Sequence, residues 1–192
     1  MTPRRCTQTG IFQRRHLINT PRPPVVQARG ATVLGIDPGS VITGYGVIFS
    51  DGYRHRHVDH GCLRTGGGAM SKRLKLIFEG VLAIIDQHHP DAMAIESVFV
   101  KKNPASALKL GQARAAAICA SVLRDCAVSE YAPREVKKAL VGNGAAEKSQ
   151  VAHMVGIMLR LHQTLQADAS DALAIALCHA HSMTSPLQAG TT

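Results

Sequence analysis

Between residues 31 and 65 three strand-like stretches follow one another with only turns between them, and from residue 70 onward the pattern switches to helical spacing. The stretches are "ATVLGID" (31–37), "TGYGVIF" (43–49) and "YRHRHVDHGCLRT" (53–65). Consecutive strands without a helix between them form an antiparallel meander, because short turns cannot return a chain to a parallel register. The helical pattern opens with "MSKRLKLIFEGVLAIIDQHH" (70–89), where Leu74, Ile77, Val81, Ile84 and Ile85 share a face and Pro90 ends the run. A buried strand (91–98) follows. A helix over 103–126 has Asn103 as N-cap and Pro104 in its first turn. A strand (127–132) and a helix from Pro133 come next, broken at Gly142-Asn143-Gly144. Helices over 145–161 and 166–182 complete the order β-β-β-α-β-α-β-α-α-α. This order predicts an α/β fold, with a mixed five-stranded sheet carrying helices on both faces.

Residues 1–30 read differently. They hold six arginines, no lysine and no acid, with Pro21, Pro23 and Pro24 and no sustained period. A basic disordered arm, or a start placed upstream of the true one, is expected there; an organelle transit peptide is the weaker reading. The ordered unit is expected over 31–183, with a disordered tail over 184–192. The arm takes +6 of the net charge of +9, leaving only +3 for the rest, so charge alone argues weakly for a nucleic-acid partner. No apolar run is long enough for a transmembrane helix, and no membrane role is expected. Five scattered cysteines without a C-x-x-C pair argue against a disulfide framework or zinc ribbon and suit the cytoplasm.

Four acids stand out. Asp37 ends an apolar strand and opens the turn "PGS"; taken alone it is equally a turn-capping aspartate. Glu96 lies near the end of a second apolar strand, where an unpaired buried carboxylate is costly. Asp168 and Asp171, at i and i+3, share one face at the start of the uncharged helix "ALAIALC". Acids in a first turn also simply suit the helix dipole. If the four meet, they repel: two unit charges at about 4 Å cost roughly 4 kcal/mol at an effective dielectric near 20. Such a set needs protons or cations, and all-oxygen donors suit Mg²⁺ or Mn²⁺ rather than zinc. A pair of such ions fits in-line hydrolysis of a phosphodiester.

The segments "GIDPGSVITGYGVI", "AIESVF", "NPASALKLGQARAAAI", "EYAPREVKKALVGNGAAEKSQV" and "ADASDALAIA" resemble, in colinear order over about residues 31–183, the RuvC family of bacterial Holliday-junction resolvases. The resemblance implies a ribonuclease H-like fold and a metal-dependent endonuclease of DNA recombination and repair. It implies a homodimer on four-way junction DNA that nicks two strands of like polarity, with the branch-migration proteins RuvA and RuvB as partners. It makes Asp37, Glu96, Asp168 and Asp171 the metal-binding catalytic acids, with two Mg²⁺ per subunit. It places Lys137 and Lys148 beside the DNA in support of cleavage, and Phe99 as an aromatic that stacks at the junction centre. Lys101 and Lys102, flanking Phe99, are placed to hold phosphates, and Lys138 reads as a phosphate contact or plain surface; apart from the resemblance, Phe99 also reads as a core residue at a strand end, and Lys137 and Lys148 as solvated surface lysines. The small-residue stripe Ala107, Gly111, Ala115 and Ile118 faces either the sheet or a second subunit.

Other readings are weaker. "GNGAAEKS" puts Glu147 where a phosphate-binding loop needs glycine, and it follows a helix. "DPGSVITGYG" loosely fits an actin-like ATPase, but that fold needs two such domains. A non-catalytic junction binder would not carry four acids against phosphate, and a nuclease of RNA:DNA hybrids is disfavoured only by the junction-type motifs. Of the ten histidines, His55 and His57 should share an exposed face of their strand with His60 opposite, and His179 and His181 should be cationic at a helix end.

Overall fold

The computed structural model describes residues 30–97 and 104–184. Phe99, Lys101, Lys102 and the cap Asn103 lie outside the described residues, as do the N-terminal arm and the tail beyond Thr184. Five strands, β1 (Ala31–Asp37), β2 (Ile42–Ser50), β3 (His55–Arg64), β4 (Ala92–Glu96) and β5 (Ala127–Tyr131), form one sheet in the order β3-β2-β1-β4-β5. The meander β1–β2–β3 is antiparallel, whereas β4 and β5 run parallel to β1. The mixed sheet follows from the connections. Turns link the first three strands, and the helices α1 (Met70–His88) and α2 (Pro104–Val122) carry the chain over to β4 and β5.

Strand alternation divides the core in two. Leu34, Ile36, Val47, Met93 and Ile95 face α1 and α2, where they meet Ile77, Val81, Ala113 and Ala117. Val33, Ile48 and Ala94 face the other way, against α3 (Pro133–Val141), α4 (Lys148–Leu159) and α5 (Ala167–Thr184). Each of these large side chains contributes on the order of 1.5–3 kcal/mol by leaving water. The helix α5 crosses β1 and β2 at close range because glycines floor the contact. A Cβ at Gly35 would run into the carbonyl oxygen of Ala172, and one at Gly44 into that of Asp168.

One open choice is decided and two expectations are corrected. Of the faces left open for the α2 stripe, the core-facing one is taken by Ala113, Ala117 and Ala120, while Ala115 is exposed, Ala107 and Gly111 are half-buried, and Ile118 is half-buried against the edge of the core. In β3 the pairing slips at Val58: His57 pairs with Ile48, and Asp59 with Val47. This bulge inserts one residue and flips the alternation beyond it. His60 therefore shares His57's face, their rings bonded Nε2 to Nδ1 at 2.7 Å, and His55, His57 and His60 are half-buried rather than exposed. His179 is buried against the Tyr131 hydroxyl, 2.8 Å from Nδ1, and burial pushes its pKa below the ordinary value. Desolvation there outweighs the attraction of the helix end for a cation.

Candidate active site

The parity that divides the core also aims the acids. Asp37 shares the face of Val33 and Gly35, and Glu96 that of Ala94, so both carboxylates point toward α5 from neighbouring parallel strands. The turn after Asp37 is locked from two sides. The Thr43 hydroxyl donates to the Gly39 carbonyl at 2.8 Å, and Arg73 of α1 donates to the Ser40 carbonyl at 2.7 Å. Asp171 arrives on the first turns of α5, which the glycine floor holds against the sheet. Lys148 is the first residue of α4, where Glu147 caps the helix by donating its N–H to the Gln150 side chain at 2.9 Å. The expected helix start at 145 thus moves to 148, since Asn143–Ala146 form a turn instead. Lys137 lies on α3, whose start is tied by the Ala132 N–H to Glu135 at 2.7 Å.

Asp37, Glu96, Asp171, Lys137 and Lys148 line one cavity of about 260 Å³. Burial, then Glu96 and Asp171, raise the Asp37 carboxyl from 3.8 to about 7, against the lowering pull of Lys148. Burial and Asp171 push Glu96 up as well, while Lys148 and Lys137 pull it down. The Lys148 ammonium donates to Asp171 Oδ2 at 2.7 Å, and that bond raises its own pKa. Asp168 does not line the cavity. It lies one turn earlier on α5, close enough that its charge raises Asp37 further. Lys138 is exposed and outside the cavity.

Three of the acids thus line one cavity with Asp168 a turn away, but among the described residues no three donor side chains stand within the spacing of a coordination shell. That is the arrangement expected of mutually repelling carboxylates whose nearest countercharges are lysine ammoniums. The donor set nevertheless fits a hard divalent cation. Every acid offers only oxygen, two acids have raised pKa values, and a cation would relieve the repulsion that raises them.

Two features were not foreseen. A groove of about 770 Å³ begins at Lys148 and Asp171 and runs along α4 past His153 and Ile157 to Arg160 and His162. Beneath the sheet, Arg114 of α2 donates to the backbone carbonyl of Glu96. The signal for Arg114 was its position as a lone charge in the apolar run between Lys109 and Arg124. The groove had no such signal, because the loop over 160–165 joins it only in three dimensions.

Comparison with known proteins adds the following. Residues 33–179 match the family described as "Crossover junction endodeoxyribonuclease RuvC". A protein of that name from Pseudoalteromonas atlantica is 56% identical over 151 residues, 79% of this chain and 87% of that relative. One from Yersinia pestis is 58% identical over 160 residues, 83% of this chain and 92% of that relative. Among solved structures, Thermus thermophilus RuvC in complex with Holliday junction substrate superposes with a TM-score of 0.77 at 34% identity, covering 80% of this chain and 95% of that one. The yeast mitochondrial Holliday junction resolvase shares the fold, with a TM-score of 0.60 at 12% identity over 79% of this chain and 78% of that one.

Proposed function

The chain belongs to the RuvC family of crossover junction endodeoxyribonucleases, and from that premise we propose that residues 31–183 resolve four-way DNA junctions by nicking two strands of like polarity. The observation that carries the reading is the convergence of Asp37, Glu96 and Asp171 with Lys137 and Lys148 on one cavity, with Asp168 adjacent. We assign the four acids as ligands of divalent ions, Mg²⁺ first and Mn²⁺ as a substitute, two per subunit. When bound, such ions supply Lewis acidity to the attacking water and to the leaving oxygen of the phosphodiester. The chain's own residues do the rest. Asp37 and Glu96 fix the site to two central strands, and Asp168 and Asp171 bring α5 to it. Lys148 stands at the cavity's edge with its side chain 78% exposed, able to exchange Asp171 for a phosphate oxygen and offset charge that builds up there. Lys137 adds a second cation from α3.

The groove along α4 supports a path for the strand beyond the cleaved bond, with Arg160 at its far end as a phosphate contact. No ion pair or hydrogen bond engages the Arg160 guanidinium among the described residues. Arg160→Gln is expected to weaken junction binding uniformly across sequences and to reduce the slope of log K against log salt by about one. Fluorescence anisotropy over a salt series measures both; an unchanged slope removes Arg160 from the path.

A homodimer is supported by the outer side of α2. Leu108 and Val122 are 65% and 62% exposed there, beside Ala115 and Cys119, opposite the residues that pack on the core. A twofold protein also matches a substrate with two equivalent scissile bonds. RuvA and RuvB as partners, and the cytoplasm as the compartment, rest on family membership. No helix among the described residues is long and apolar enough to cross a membrane.

Synthetic four-way junctions, linear duplex and RNA:DNA hybrid, each with and without Mg²⁺, provide the deciding assay. Paired nicks in the junction alone, dependent on Mg²⁺, are the expected outcome. Equal cutting of the hybrid would make the chain a hybrid nuclease, and binding without nicking would make it a junction-binding protein.

A further inference from the structure

We propose that Arg114 is a positioning residue that holds Glu96 in place for the metal ions, acting through the backbone from the opposite side of the sheet. The inference rests on the assignment of Glu96 as a metal ligand. Glu96 ends β4. The β1–β4 ladder stops one residue earlier, at the Ile36–Ile95 pair. The Glu96 carbonyl instead accepts from Arg114 Nε at 3.2 Å. On the β5 side, the Ser97 N–H donates to the Tyr131 carbonyl at 2.8 Å. The peptide between Glu96 and Ser97 is thus gripped from both flanks, immediately after the residue whose side chain must be placed.

The guanidinium is itself anchored. Its Nη2 lies 2.5 Å from Glu130 Oε1 of β5, off the line of an N–H hydrogen bond, so the contact is an ion pair. Glu130 pairs with Ile95 across the ladder and shares the α1–α2 face, away from the carboxylate cavity. The Arg114 side chain is 19% exposed, so this pair is only partly screened. Arg114 is not among the charges that shift Glu96, which are Asp171, Lys148 and Lys137. Its contribution is therefore geometric. One side chain ties the ends of β4 and β5 to α2 and limits where the Glu96 carboxylate can swing. Outer groups that orient a metal ligand typically alter metal affinity about 10–100-fold.

The test compares Arg114→Gln, Arg114→Lys and Glu130→Gln in the full chain. Mn²⁺ binding to the DNA-free protein is followed by the electron paramagnetic resonance signal of free Mn²⁺. Junction affinity in EDTA, thermal stability and the metal concentration for half-maximal nicking are measured alongside. Arg114→Gln is expected to raise the Mn²⁺ dissociation constant about tenfold, to shift half-maximal nicking by the same factor and to leave junction affinity in EDTA unchanged. Arg114→Lys keeps one donor without the fork and should fall between. Glu130→Gln should move metal affinity the same way by less. A purely structural role would lower the melting temperature of all three while Mn²⁺ affinity stayed at the wild-type value, and that result overturns the proposal. If Arg114→Gln does not fold, the other two decide by the same criterion. A wild-type protein that fails to nick junctions would count against the proposed function; wild-type nicking with unaltered Mn²⁺ affinity in the variants would count against Arg114 alone.

Discussion

Replacing Asp37 with asparagine should abolish junction cleavage and, in the absence of divalent ions, make the protein more stable. The first effect follows from the loss of a ligand that supports several kcal/mol of transition-state charge stabilisation, which corresponds to a rate loss of roughly 10²–10³-fold or more. The second follows from the raised carboxyl. The folded-state value of about 7 lies above the ordinary 3.8, so the native protein binds this proton more tightly than the unfolded chain does. Stability of the ion-free protein therefore falls as pH rises from about 4 to about 7 and stays low above that. The loss is on the order of a few kcal/mol. Asparagine carries no charge and escapes it. In EDTA at pH 8 the Asp37→Asn melting temperature should exceed that of the wild type, and the gap should close as pH falls toward 4. Adding Mg²⁺ should raise the wild type by ligand linkage and the variant much less. Thermal scans at several pH values, with and without Mg²⁺, measure this. A variant that melts below the wild type in EDTA at pH 8 would show that Asp37 is held by favourable partners and is not under repulsion.

The second large effect is expected at Gly44, which pairs with Asp37 across the β1–β2 ladder. Gly44→Ala would drive a methyl group into the Asp168 carbonyl, which is backbone and cannot rotate away. Overpacking of this kind costs about 1–3 kcal/mol. At roughly 2–4 °C per kcal/mol, the melting temperature should drop by several degrees. Cleavage should fall further than stability does, at least tenfold well below the melting temperature, because α5 is pushed away together with Asp168 and Asp171. Gly67→Ala is the matched control: its added methyl group meets nothing, and both readouts should be unchanged. Wild-type melting and wild-type cleavage in Gly44→Ala would mean that α5 does not depend on the glycine floor.

The order of all ten elements could be read from the sequence, and the four acids could be singled out there as candidates, because both rest on local signals. Apolar periodicity fixes each strand and helix, and an acid that ends an apolar run stands out at Asp37 and Glu96. The features that escaped depend on partners remote in the chain. The bulge at Val58 is set by the register of β3 on β2, and no turn residue announces it; the half-buried His57–His60 pair follows from it. The inward face of α2 is chosen by the sheet beneath it, and the small residues at 107, 111 and 115 matched those at 113, 117 and 120 too closely in size to decide. His179 read as a cation at a helix end until Tyr131, 48 residues away, enclosed it. Helical spacing puts Asp168 and Asp171 on one face but does not say which turn of α5 meets the cavity: Asp171 lines it, and Asp168 stands one turn earlier, near enough to act on Asp37.

The helix α5 is the last of the described elements, and it brings two of the four acids. If cleavage needs all four, a chain still leaving the ribosome has Asp37 and Glu96 but no Asp168 or Asp171. It cannot cut DNA at any stage of its synthesis before residue 171 has been added and has folded back onto the first two strands.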